Sequence, residues 1–132
     1  MPMSALDQWY THMKSHDTKV LWDLLHPDAV FESPVVHTPQ RGRDITFKYL
    51  ASAGVVLGGP NFKYTGEWHS KNGAVLEFEN TVDGITINGV DIMTFSDDGS
   101  QITHFKVMVR PLKAMNLLHR LMGEQLTKQS AG

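Results

Sequence analysis

The sequence predicts an α+β fold: a long antiparallel meander curls into a cone around N-terminal helices, and an extra helix follows it. Three observations carry that prediction. Apolar residues recur every three or four positions in the first third of the chain, every second position from Asn61 to Arg110, and every three or four again afterwards. Tight-turn pairs interrupt the period-two region at about ten-residue intervals. Helices grouped first and strands after them indicate segregated α+β architecture rather than alternating α/β units.

Each element has a local reason. Leu6, Trp9, Tyr10 and Met13 share one helical face, with Ser4 as N-cap and Asp7 three residues on. Val20, Leu21, Leu24 and Leu25 form a second stripe, capped by Asp17 or Thr18 and ended by His26-Pro27-Asp28, because a residue before proline leaves the helical region. Ala29 to Glu32 reads as a short strand, followed by a loop punctuated by Pro34, Pro39 and Gly42. A third helix is predicted from about Arg43 to Val56, stopped by Leu57-Gly58-Gly59-Pro60. Phe62, Tyr64 and Trp68 then alternate with polar residues. Asn72-Gly73 and Asp83-Gly84 are two-residue turns, a geometry that needs positive φ at both positions. Leu76, Phe78, Asn80 and Val82 share a face on the second strand; Ile85–Phe95 and Ile102–Arg110 supply the last two. Gly66 and Gly89 are bending points within strands. Leu112 to Leu126 resumes the helical period and ends in a polar tail, Gln129 to Gly132. Residues 1–132 read as one domain with its core over 4–110 and its last helix over 112–126.

The composition excludes several functions. The chain has no cysteine, so disulfides, thiolate nucleophiles and thiolate metal sites are ruled out. Its 12 Lys and Arg against 14 Asp and Glu leave a net charge of −2, with no basic stripe for nucleic acid. No apolar run reaches the ~18 residues of a membrane span, and Met1-Pro2-Met3 opens no signal peptide, so a cytoplasmic protein with no membrane partner is expected.

Residue similarity extends the reading. Ala29-Val30-Phe31-Glu32-Ser33-Pro34-Val35, with Pro39 and Gly42 behind it, resembles the segment that carries the catalytic base of the ketosteroid isomerases. Gly89-Val90-Asp91-Ile92-Met93-Thr94-Phe95 resembles the strand that carries their buried hydrogen-bond-donating aspartic acid, and the Asp98-Gly99 turn keeps register. The chain thus resembles the nuclear transport factor 2-like superfamily, with its ketosteroid isomerases and SnoaL-like polyketide cyclases, over about residues 4 to 110. The resemblance implies an aspartic acid kept neutral by an apolar site at Asp91. It places Ser33 where the isomerases hold their basic aspartate and Trp9 at or beside their oxyanion-hole tyrosine. A serine cannot take up a carbon-bound proton at neutral pH, so the isomerase mechanism does not carry over unchanged. Relatives that pair back to back imply a homodimer through the outer sheet face, where Val75, Val90, Ile92 and Met108 interrupt a polar set of Glu77, Glu79, His104 and Lys106.

The candidate site combines apolar walls with a few polar points. Asp91 lies on an otherwise apolar strand face, where a carboxylate must be protonated or paired; Trp9, Asn80 or a backbone group are the partners considered. His37, held between prolines, is the candidate base. A Ser33–His37 dyad lacks an orienting acid and a glycine elbow. His12 and His16 share a helix face but lack a third metal ligand, so no metal site is expected and both read as solvated. Trp9, Ser33, Tyr49, Phe62 and Tyr64 are expected to line a pocket with Trp68, Phe78, Asn80, Met93, Phe105 and Val107. Such a pocket suits a small hydrophobic molecule bearing a carbonyl or hydroxyl. The expected function is cofactor-free isomerase, cyclase or lyase chemistry, with Asp91 as acid and His37 as base. A non-catalytic binding module and a dimeric interaction module are the alternatives.

Overall fold

The computed structural model describes residues 4–131; Met1 to Met3 and Gly132 lie outside them. The elements are α1 (Ala5–Ser15), α2 (Thr18–Leu24), β1 (Leu25–Glu32), β2 (Gln40–Arg41), α3 (Arg43–Leu57), β3 (Lys63–Ser70), β4 (Gly73–Val82), β5 (Ile85–Phe95), β6 (Ile102–Arg110) and α4 (Leu112–Ala131). The predicted caps form: Ser4 Oγ accepts from the Asp7 N–H at 3.1 Å and Asp17 Oδ1 from the Lys19 N–H at 2.9 Å. The last helix is longer than expected and takes the polar tail up to Ala131 into its final turn.

The six strands run in the order β2-β1-β6-β5-β4-β3. The meander β3 to β6 is antiparallel as predicted, but the sheet as a whole is mixed, because β1 lies parallel to β6 with Phe31 opposite Phe105. Helix α3 and the meander separate these two strands in sequence, so no tight turn dictates their direction. Strand β1 also starts earlier than predicted. Its register breaks between Leu25 and Val30, and Pro27 falls in that break, where no ladder N–H is required.

Two details of the meander differ from the sequence reading. Ser70 pairs with Gly73, so the first turn is Lys71-Asn72, and neither residue has positive φ. Gly73 serves close approach instead: a Cβ there would lie 2.4 Å from the Met93 carbonyl oxygen. The second turn is as predicted, with φ of 50° at Asp83 and 76° at Gly84. In β3, Tyr64 pairs with Phe78 but Gly66 with Glu77, so Thr65 is an extra, bulged residue. The bulge inverts the alternation beyond it. Glu67 turns to the concave side, where the Tyr10 hydroxyl donates to it, and Trp68 turns to the convex side, opposite Val75.

Two apolar clusters fill the concave face. Trp9, Leu21, Leu24, Phe31, Leu50, Leu76, Met93 and Phe105 pack α1, α2 and α3 onto the sheet. Phe78, Ile87, Ala114, Leu117 and Leu118 pack α4 over its other end. Gly89 lets Phe78 lie flat on its cross-strand partner: a Cβ at Gly89 would sit 2.6 Å from Phe78 Cζ and 2.5 Å from the Met108 carbonyl oxygen. Gly89→Ala is therefore expected to destabilise the fold by about 1–3 kcal/mol, the usual cost of overpacking. Urea unfolding followed by Trp fluorescence measures this; an unchanged midpoint would show that the sheet yields at Gly89.

Candidate functional site

Between the two clusters lies a cavity of about 90 Å³. Helix α1 contributes Trp9, His12 and Met13 with its C-cap His16, α3 contributes Leu50, Ala53, Gly54 and Leu57, and α4 contributes Leu118 and Met122. The sheet supplies Phe31, Tyr64, Phe78, Asp91, Phe105 and Val107; Ser33, Pro34 and Val35 close one side. The walls are organised by ring packing. Phe62 stacks on Phe78 with centroids 5.4 Å apart, and Trp9 leans on Phe105 at 5.0 Å.

Asp91 is the only carboxyl group among the residues lining the cavity, and it is 7% exposed. Its Oδ2 accepts from the Tyr64 hydroxyl at 2.9 Å, and the Tyr64 oxygen accepts from the Trp9 indole N–H at 2.9 Å. The relay links α1 to β3 and β5. Burial pushes the carboxyl pKa up to about 7, and the Tyr64 bond opposes that shift without cancelling it. Burial and the neighbouring Asp91 push the Tyr64 phenol upward too, so it stays a donor at neutral pH.

His12, read from sequence as solvated, is 8% exposed and lies against Trp9 with ring centroids 5.6 Å apart. Its Nδ1 is 3.0 Å from the Asp17 carbonyl oxygen. Burial lowers its pKa, so the ring is neutral at physiological pH. The sequence signal was present in the shared face of Trp9, His12, Met13 and His16, but two histidines near a helix end have an equally good exposed reading.

A family model for the SnoaL-like domain matches residues 6–105. The chain belongs to the SnoaL-like domain family. Its structure is similar to the steroid delta-isomerase of Pseudomonas aeruginosa, at 35% identity and a TM-score of 0.89 over 97% of this chain and 93% of that one. It is also similar to an uncharacterised protein of Silicibacter pomeroyi with a cystatin-like fold, at 24% identity and a TM-score of 0.86 over 96% and 88%. A nuclear transport factor 2-like protein of Burkholderia xenovorans follows the same fold at 18% identity, a TM-score of 0.63 and 80% and 79% coverage. No curated protein matches the chain in sequence.

Within this SnoaL-like fold, eight of the sequence-predicted residues meet at the cavity: Trp9, Ser33, Phe62, Tyr64, Phe78, Asp91, Phe105 and Val107. The others do not. His37 is exposed on the loop and lines no part of the cavity. Trp68 is 59% exposed on the convex face, because the bulge precedes it. Met93 is buried in the α1–α3 cluster, and Tyr49 packs behind Phe31 at 5.4 Å. Asn80 donates to the Leu57 carbonyl and accepts from the Thr81 N–H, tying β4 to the end of α3. Ser33 Oγ accepts from the Val35 N–H at 3.1 Å, which shapes the loop. Among the described residues, no group of three or more His, Asp and Glu could hold a metal ion, and no helix is long and apolar enough to cross a membrane.

The raised Asp91 pKa fixes a sign for stability. Between pH 3.8 and about 7 the native state keeps a proton that the unfolded chain has released, so this residue's contribution falls as pH rises through that window. Asp91→Asn keeps an acceptor for Tyr64 and removes the dependence. Relative to wild type, the variant is expected to gain stability between pH 4 and pH 8, by about 4 kcal/mol at most at ~1.4 kcal/mol per unit. Denaturant midpoints at the two pH values test this, and an equal difference at both would contradict the raised pKa.

Proposed function

We propose that this SnoaL-like protein binds a small apolar molecule bearing a carbonyl or hydroxyl and catalyses cofactor-free proton transfer on it. The observation that carries this reading is Asp91: one half-neutral carboxyl group, with one oxygen held by Tyr64, in an apolar cavity. In its protonated form it donates a hydrogen bond to a substrate oxygen, and away from water that bond is strongest where negative charge develops. The Pseudomonas aeruginosa relative supports the reaction class, because moving a double bond is a proton transfer. The cavity, at about 90 Å³, is smaller than the ~300–1,000 Å³ of sites for drug-sized ligands, which favours a substrate of about one ring.

The test substrate is cyclohex-3-enone, whose conversion to the conjugated enone is followed by ultraviolet absorbance. Wild type is expected to accelerate it over buffer, and Asp91→Asn to lower kcat/KM by about 10²–10³-fold, as loss of one such donor does elsewhere. The second reading is a binding module without chemistry, favoured by Ser33 in place of a basic carboxylate. Saturable binding of cyclohexenone without turnover would establish that reading and overturn the first.

We also propose that the chain forms a homodimer through the convex sheet face. Trp68 and Met108, 59% and 52% exposed, flank Val75, Val90 and Ile92 there. Trp68→Glu together with Met108→Glu is expected to halve the mass measured by analytical ultracentrifugation. A monomeric wild type would overturn the proposal.

A further inference from the structure

We propose that His12 is the proton acceptor of this site, taking from helix α1 the role that no carboxylate fills at Ser33. The inference rests on the proton-transfer reading and adds the base that reading lacks. Asp91, once protonated, can donate but cannot also abstract. Ser33 is no base, and its hydroxyl is engaged by the loop backbone. His37 is outside the cavity, and Glu67 accepts from Tyr10.

The tautomer of His12 follows from its partner. The Asp17 carbonyl oxygen can only accept, so in the neutral ring Nδ1 carries the hydrogen and Nε2 carries the lone pair. None of the described residues hydrogen-bonds to Nε2. Among the described residues, Ser52 Oγ is the one fully enclosed side-chain N or O atom without a partner, so the unpaired Nε2 has open space beside it. His12 and Asp91 line the same cavity. Three residues along α1 separate His12 from Trp9, whose N–H leads through Tyr64 to Asp91. The Trp9 and His12 ring centroids lie 5.6 Å apart, so the base sits beside the first member of the relay. His16, on the same face, is exposed at the helix end and has a left-handed backbone, with φ of 58°.

The step balances without a further reactant. The C–H bond beside a substrate carbonyl breaks and its electron pair becomes the C=C bond of an enolate. The proton bonds to His12 Nε2, and the carbonyl oxygen takes the charge within reach of the Asp91 hydroxyl. The imidazolium then returns the proton to another carbon, which moves the double bond. His16 and Asp17 face His12, and Asp91 and Tyr64 line the cavity with it; Asp17 opposes and His16 adds to the lowering of its pKa. Activity should therefore rise as His12 loses its proton, below pH 6.5, and fall as Asp91 ionises through about 7.

Deuterium exchange into cyclohex-3-enone in D2O, followed by NMR across pH, tests the assignment with the full-length chain. His12→Asn places an amide N–H where Nδ1–H stood and so retains the Asp17 bond while removing the base. It is expected to unfold at the same denaturant concentration as wild type, exchange about 10²–10⁴-fold more slowly, and lose the acid limb of the profile. Asp91→Asn should lose the alkaline limb, and added imidazole should restore exchange to His12→Ala. Undiminished exchange in a folded His12→Asn, with Asp91→Asn impaired, overturns the role of His12 alone. Wild type no faster than buffer overturns the proton-transfer reading with it. If His12→Asn unfolds, His12→Ala at a pH where it folds decides: rescue by imidazole upholds the base, and no rescue overturns it.

Discussion

One carboxyl group buried in an apolar wall constrains the rest of this molecule. An ionised Asp91 facing Phe78, Phe105 and Val107 would cost several kcal/mol, and the single hydrogen bond from Tyr64 does not offset that. The proton therefore stays on to about pH 7. For Tyr64 to reach Asp91, β3 must present it to the concave side, and its hydroxyl must be free to donate. Trp9 secures the second condition by donating into the same oxygen, which leaves the phenol hydrogen for the carboxyl. Helix α1 is thus tied to two strands by a chain of two bonds, and the Trp9 link would be lost if it slid by one turn.

The shape around the relay comes from local departures from ideal strand geometry. Thr65 bulges, so one edge strand can send Tyr64 inward and Trp68 outward although both share the same parity in sequence. Gly89 and Gly66 carry no Cβ, and an aromatic ring lies over each: Phe78 on the concave side and Trp68 on the convex side. With Phe78 flat on the sheet and stacked on Phe62, the α4 cluster sits low at its end of the concave face, while the α1–α3 cluster fills the other. The gap between them is the cavity. A gap between ring-lined walls forfeits the dispersion contacts that direct packing of those walls would give. It persists because the walls are held from both sides, by Asn80 on the end of α3 and by the Trp9 relay on α1.

Much of this was legible in the sequence. The order of elements, the caps at Ser4 and Asp17, the Asp83-Gly84 turn and the inward face of β4 all follow from periodicity and capping, which are local properties. Asp91 stands out in the sequence as an acid on an apolar face, and it lines the cavity. What failed was non-local. The bulge at Thr65 is set by pairing with β4, so period-two alternation alone puts Trp68 on the wrong side. Asn80 shares a face with core residues, but whether it meets a cavity or a helix end depends on α3. The pairing of β1 with β6 joins segments more than seventy residues apart and has no signature in either. His12 misled because spacing identifies a face without saying what covers it; Trp9 on that same face was the cue that the face turns inward.

Fold and chemistry make separate demands on the residue at Ser33. A SnoaL-like domain keeps its cone because the curled sheet must bury one face, and that demand is indifferent to which residue stands at the end of β1. Ser33 satisfies it as well as a carboxylate would, by bonding the loop backbone. The acid at Asp91 is different, because its proton affinity is created by the cavity: fill the cavity with water and the carboxyl returns toward its ordinary pKa. A site that keeps such an acid must therefore also keep water out, and both apolar clusters contribute to that exclusion. A base added to such a site has to satisfy the same condition. An exposed loop histidine does not, since its protons exchange with solvent. A buried helix histidine whose one N–H is committed to a backbone carbonyl does, because it is shielded from bulk water where it lines the cavity.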